Sequence, residues 1–320
     1  MKIRKGQEAD LPAVVDLLKA SLGDSLVPKS VELWKWKHVD NPHGASPVLV
    51  AEEDGRIVGV RAFLKWQWLH NGVQHEAVRA VDTSTHPDFQ GKGIFKKLTL
   101  QSVEDAKAAG VSFVYNTPNE NSKPGYLKMG WVEKGRMPLK LKINPLAYKN
   151  TKLPGIPAQD WEKLDELLPH LRNPVASSGR LHTVLSPEYI RWRYKDIPLF
   201  DNYFLTDYAS YALFYRFKEH SFGLEFRILD LLTKPWDFDG AARAQLQDQL
   251  QDASKGCFLV SASGRQYELL RDTFPGMGLL PVVARGPIVT LRNLTLPEAA
   301  FKDLQNVNSW GYSIGDMELF

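Results

Sequence analysis

The sequence predicts a mixed α/β chain built from two similar units in tandem, and three observations carry that reading. Apolar residues recur at helical spacing in some segments and at strand spacing in others, and the two kinds alternate along the chain. A stretch of the first half returns in the second half at a nearly constant offset. The length of 320 residues exceeds most single domains, while 43% hydrophobic and 24% charged residues suffice for an ordinary core in each half.

The elements follow in order. Asp10 to Leu22 carries Leu11, Val14, Val15, Leu17, Leu18 and Leu22 on one helical stripe, with Asp10 as N-cap and Gly23 as stop. Pro47–Glu52 and Ile57–Leu69 read as strands joined by Glu53-Asp54-Gly55-Arg56, where Asp-Gly signals a hairpin. Ala77–Thr85 is a further strand and Gly93–Ala109 a helix closed by Gly110. Val111–Tyr115 reads as a short buried strand, and Ser122–Met129 as a short helix closed by Gly130. Leu139, Leu141 and Ile143 alternate with Lys140 and Lys142, so this densest basic run reads as a half-buried strand. Asn144–Pro157, with Pro145, Pro154, Gly155 and Pro157, reads as a linker. The expected division is a first unit over 1–145, the linker over 146–157 and a second unit over 158–320.

The repeat is specific. Glu32, Trp36, Asp40 and Pro42 match Glu188, Trp192, Asp196 and Pro198, each pair 156 positions apart. At 148 positions, Asp82 matches Asp230, Pro87 matches Pro235, Tyr126 meets Phe274, and Met129 and Gly130 match Met277 and Gly278. At that offset the segment Gln90-Gly91-Lys92-Gly93-Ile94-Phe95 faces Phe238-Asp239-Gly240-Ala241-Ala242-Arg243. The second unit therefore reads as a degenerate copy in which an aspartate takes the place of an anion-binding loop.

Composition excludes several classes. A net charge of +3 without an aromatic-studded basic patch does not point to nucleic acid or a membrane surface. A single cysteine, Cys257, allows no intrachain disulfide and no multi-cysteine zinc site; next to Phe258-Leu259-Val260 it reads as a buried strand thiol. No metal is expected. The start, Met1 to Asp10, has no signal-peptide pattern and no apolar run approaches ~20 residues, so a cytoplasmic location is expected.

Gly91, Lys92 and Gly93 stand where a strand turns into a helix. Glycines there let the backbone approach a ligand, and a helix N-terminus offers unpaired amides and partial positive charge, which suits a phosphate or pyrophosphate. The loop lacks the Gly-Lys-Ser/Thr ending of triphosphate loops and the three-glycine dinucleotide pattern.

The stretch Thr85-His86-Pro87-Asp88-Phe89-Gln90-Gly91-Lys92-Gly93-Ile94-Phe95 resembles the acyl-CoA pyrophosphate loop of the GNAT acyltransferase family. That pattern is Gln or Arg, two residues, Gly, one residue, then Gly or Ala, and Phe95 holds the last place here. Asn119 to Trp131 resembles the family's downstream segment, at similar spacing. The resemblance covers residues 1–145 and reaches the rest only through the repeat. It implies two tandem GNAT-like folds and acetyl-CoA as acyl donor. It also implies roles: Thr83 and Thr85 along the pantetheine arm, amides of Gln90, Gly91, Lys92, Gly93, Ile94 and Phe95 on the pyrophosphate, Asn119 and Ser122 near the thiol, and Tyr126 as general acid for the thiolate.

Transfer to an amine also needs that amine neutral. An alkyl ammonium of pKa ~10.4 is deprotonated in only about 1 molecule in 2500 at pH 7, a deficit of roughly 4–5 kcal/mol. Asp82, Glu76 and His86 are the candidate bases, Asp82 first. Trp34, Trp36, Trp66 and Trp68 suggest either an aromatic acceptor pocket or core. The expected activity is acetyl transfer to a primary amine of a small molecule or amino sugar. Two alternatives stay open: a non-catalytic acyl-CoA-binding scaffold, and an aminoacyl transferase of the peptidoglycan-bridge type.

Overall fold

The computed structural model describes residues 1–23, 27–264, 280–282 and 286–317. Phe274, Met277 and Gly278, which carry part of the repeat, lie outside the described residues.

The first unit opens with β1 (Lys2–Lys5), α1 (Leu11–Leu22) and α2 (Val31–His38). A three-stranded meander follows: β2 (Val48–Glu53), β3 (Arg56–His70) and β4 (Val73–Thr85). Then come α3 (Ile94–Ala108), β5 (Phe113–Asn116), α4 (Lys123–Lys128), β6 (Val132–Arg136) and β7 (Leu139–Ile143). Beyond the linker lie α5 (Trp161–Leu167), β8 (His182–Thr183) and α6 (Pro187–Tyr194). A second meander holds β9 (Tyr203–Thr206), β10 (Tyr211–His220) and β11 (Gly223–Thr233). The chain continues through α7 (Gly240–Ala253), β12 (Leu259–Ser263), β13 (Leu280–Val282), β14 (Ile288–Asn293) and α8 (Glu298–Gln305).

Local chemistry explains the boundaries. Asp54 and Gly55 both have positive φ, 51° and 74°, as a two-residue hairpin turn of matching twist requires. Gly23, at φ 72°, ends α1. Asp10 precedes α1, but its carboxylate does not cap that helix; it takes two hydrogen bonds from Arg4 and one from the Gln7 amide. Cys257 is buried just before β12, and burial pushes its thiol up to about 12.

The sheets exchange strands. One runs β1-β2-β3-β4-β5-β14-β6, with β8 added to β3; the other runs β13-β7-β12-β11-β10-β9. Each has an antiparallel hairpin, β3–β4 or β10–β11, followed by a parallel pair, β4–β5 or β11–β12. Next to β5 lies β14, from the far end of the chain, and next to β12 lies β7, from the first half. Neither sheet is therefore completed by its own half, and the chain does not divide cleanly at any one residue.

The two halves also share a core. Ser30 and Ser186 cap α2 and α6 through the amides of Leu33 and Tyr189, 156 positions apart. Trp36 and Trp192 stack at 4.8 Å with planes 15° apart, and each indole N–H donates to the other's main-chain oxygen, at 2.8 and 2.7 Å. The repeat thus meets itself across a local two-fold axis. Trp66, Trp68, Trp310 and Phe214 belong to the same apolar cluster as this pair.

Candidate active site

Gly91 and Gly93 have φ of 77° and 75°, a region that L side chains rarely enter, and a Cβ on either would meet no atom within 4 Å. The glycines serve the backbone path, and the space above them is open. Gly93 occupies the N-cap of α3 with no capping side chain. Among the described residues, no protein acceptor meets the amides of Gly91 through Lys96. These amides border a groove of about 490 Å³ whose lining includes Thr83, Thr85, Gln90, Gly91, Gly93 and Phe95. Ile94 also lines it, while Lys92 does not; its ammonium sits 4.4 Å from the Phe89 ring centre. The second unit treats the same junction differently. Asp239 caps α7, its carboxylate accepting from the Ala242 amide at 2.9 Å, so a protein carboxylate fills the place of an external anion.

Phe95 does not lie across the glycine turn. Its ring packs edge-on against Tyr126 at 5.5 Å and against Gly125, where a Cβ would come within 3.1 Å of it.

The groove continues into a split in the sheet. β4 and β5 pair only from Ala77–Phe113 to Arg79–Tyr115, and β4 then runs on to Thr85 without β5 beside it. Asp82 interrupts the β3–β4 register between the pairs Arg61–Thr83 and Ala62–Val81, at φ 39°. Such a bulge bends the strand and leaves an extra residue's backbone groups outside the ladder. An extended arm can thus lie along residues 80–85, and the bulge marks its inner end.

Tyr126 is buried, and its phenol oxygen accepts a hydrogen bond from Arg61 Nη1 at 2.8 Å. Asn119 and Ser122 are tied to each other at the start of α4; the Asn119 amide oxygen accepts from the Ser122 amide and hydroxyl, both at 2.9 Å. Tyr126, Asn119 and Ser122 all lie outside the groove lining, with Tyr126 packed behind Phe95. The sequence reading missed Arg61, although a lone charge between Val60 and Ala62 in an apolar strand was its signal.

Asp82 faces the other side of β4. Its carboxylate takes hydrogen bonds from Lys37 Nζ at 2.7 Å and His38 Nε2 at 2.8 Å, and His38 Nδ1 meets the Ser46 hydroxyl at 2.9 Å. Burial raises its proton affinity, but Lys37 and His38 outweigh burial and hold the carboxyl well below the usual range. A group depressed in this way contributes stability above its unfolded pKa of ~3.9, and the contribution fades as pH falls below that value. Asp82→Asn keeps a residue tolerant of positive φ and removes the charge. Its deficit in melting temperature against the wild type should be full above pH ~4 and shrink at lower pH; a constant deficit would refute the ion-pair account.

Above Asp82 lies a smaller pocket of about 190 Å³, walled by Leu18, Leu22, Leu33 and Trp34 with Lys37 and Asp82 at its polar end. Leu22 borders both this pocket and the groove. Of the four tryptophans, Trp34 alone reaches this pocket, while Trp36, Trp66 and Trp68 are core. Glu76 is exposed at the far end of β4, bonded to Gln67 and Gln74. His86 meets Arg56 at 2.6 Å and lines a separate cavity along α1. Neither faces the split.

The chain is similar to known proteins in sequence and in fold. Residues 2–133 match the acetyltransferase (GNAT) domain family. An L-amino acid N-acyltransferase of Escherichia coli is 26% identical over 151 residues, 43% of this chain and 83% of that protein. An L-methionine sulfoximine/L-methionine sulfone acetyltransferase of Salmonella typhimurium is 27% identical over 120 residues, 34% of this chain and 66% of that protein. Among solved structures, a probable N-acyltransferase from Enterococcus faecalis superposes with a TM-score of 0.66 at 14% identity, over 92% of this chain and 72% of that one. That likeness extends the shared fold across both units.

Proposed function

We propose that this chain, whose residues 2–133 match the acetyltransferase (GNAT) domain family, is an N-acyltransferase that moves an acetyl group from acetyl-CoA to the primary amine of a small molecule. The observation that carries the reading is the split between β4 and β5. The groove beside it is bordered by the unsatisfied amides of Gly91 to Lys96, and Leu22 lines both that groove and the pocket above Asp82.

The residues fit the donor. The diphosphate of CoA would take the free amides at the start of α3, where the helix end favours negative charge. The pantetheine arm would lie beside Thr83 and Thr85 on the unpaired edge of β4. At the bulge a main-chain N–H can face the oxygen that becomes negative when the amine attacks. Tyr126 would protonate the departing sulfur. Asp82 stays ionised because Lys37 and His38 already pair with it, so it does not take the amine's proton, which leaves through water. Holding both reactants in one cleft supplies much of the remaining rate.

The named relatives act on L-amino acids and on methionine sulfoximine or sulfone, and a pocket of about 190 Å³ suits an acceptor of that size. The test is release of free CoA thiol from acetyl-CoA with a panel of L-amino acids, methionine sulfone and amino sugars. Acceptor-dependent release is expected with at least one of the amino acids. Calorimetric binding of acetyl-CoA without turnover of any amine would instead support a non-catalytic acyl-CoA scaffold.

A further inference from the structure

Arg61 is entirely buried, yet only one of its polar contacts is made. Nη1 donates to the Tyr126 phenol, while Nε and Nη2 meet no acceptor. No carboxylate pairs with it among the described residues. Around the guanidinium stand three rings, Phe63 at 5.1 Å, Tyr126 at 5.3 Å and Phe95 at 5.8 Å from the guanidinium carbon. Ring faces attract a desolvated cation, but they do not replace a counter-ion. An apolar side chain of similar volume would serve packing alone at lower cost. The second unit has such a residue: Thr83 pairs with Arg61, and its counterpart Leu231, 148 positions on, pairs with the buried Leu213. The unit whose helix end is closed by Asp239 does without the arginine.

We propose that Arg61 is a positioning residue for acyl transfer, holding the Tyr126 phenol for proton donation and stabilising the phenolate that remains. This rests on Tyr126 being the acid. A phenol oxygen that accepts from Nη1 turns its own proton away from the arginine. As the tetrahedral intermediate collapses, the carbon–sulfur bond breaks and its electron pair goes to sulfur. The Tyr126 proton moves to that sulfur, giving free CoA thiol, and the phenolate forms beside a full positive charge in a site with little water. Water returns the proton after the products leave. The missing anion of Arg61 is therefore the one that turnover creates.

The test uses acetyl-CoA and hydroxylamine, an amine largely neutral near pH 7, so that neither a base nor the natural acceptor is needed. Thiol release above the protein-free rate is followed for Arg61→Met, Arg61→Lys, Tyr126→Phe and the paired variants, with thermal melts for folding. Tyr126→Phe should lower kcat about 100-fold. Arg61→Met should lower it about 10- to 100-fold, as loss of one charge-assisted hydrogen bond implies. KM for acetyl-CoA should stay within about twofold in both, and Arg61→Lys should recover part of the loss. The double variant should be no slower than Tyr126→Phe alone, because residues acting as a unit are not additive. If Arg61→Met does not fold, the Lys variant completes the same cycle. Full activity in Tyr126→Phe sinks the acid role itself. A slow Tyr126→Phe beside a fully active Arg61 variant, or multiplicative losses, sinks the role of Arg61 alone. No thiol release by the wild type above the protein-free reaction of hydroxylamine with acetyl-CoA overturns both.

Discussion

A Gly93→Asp variant should bind acetyl-CoA at least about 100-fold more weakly than the wild type while remaining folded. At φ 75° an aspartate is among the few side chains that fit with modest strain. Its carboxylate would sit at the open end of α3 and accept from the first-turn amides, as Asp239 does for α7. The diphosphate then loses two or three charge-assisted hydrogen bonds, each worth roughly 1.5–3 kcal/mol, and meets a like charge as well. One such bond already accounts for about tenfold. Titration calorimetry on the intact protein measures the loss, and a thermal melt shows whether the added cap preserves the fold. Binding within threefold of the wild type would mean that the glycine loop is not where the donor's phosphates lie.

Trp192→Ala should cost about 3–5 kcal/mol of stability, the usual range for emptying a buried aromatic site. The indole stacks on Trp36 and donates to its main-chain oxygen, so truncation leaves a cavity and a buried carbonyl without its donor. Trp36→Ala should cost a similar amount, because the contact is reciprocal. The double variant should fall short of the sum, since the two side chains touch. Exchange of β7 and β14 couples the halves, so urea unfolding should stay a single transition. A loss below 1 kcal/mol, or two separate transitions in the wild type, would contradict a shared core.

The site was unevenly legible. The loop residues Gln90 to Phe95 stood out because a strand-to-helix junction and its glycines are contiguous in the chain. Phe95 holds the place where the pattern has Gly or Ala, and its ring turns to Tyr126 and Gly125, whose place beside α3 depends on packing. Asp82 was noticed for its strand and its repeat partner. Its ionic cluster depends on Lys37 and His38, about 45 residues earlier. Arg61 was visible only as a misplaced charge. What it does rests on a partner 65 positions away.

The sequence by itself determined the α/β class, most elements of the first half and the glycine turn. Those features depend on periodicity, turn residues and local capping, which act over a few positions. Tertiary structure alone decided that β14 and β7 change sheets, that Trp36 and Trp192 satisfy each other, and that a buried arginine faces the phenol. A strand with one buried face can pair with any edge that accepts its pattern. Which edge it takes is settled by the shared core and by contacts up to 180 positions apart, which no local pattern records.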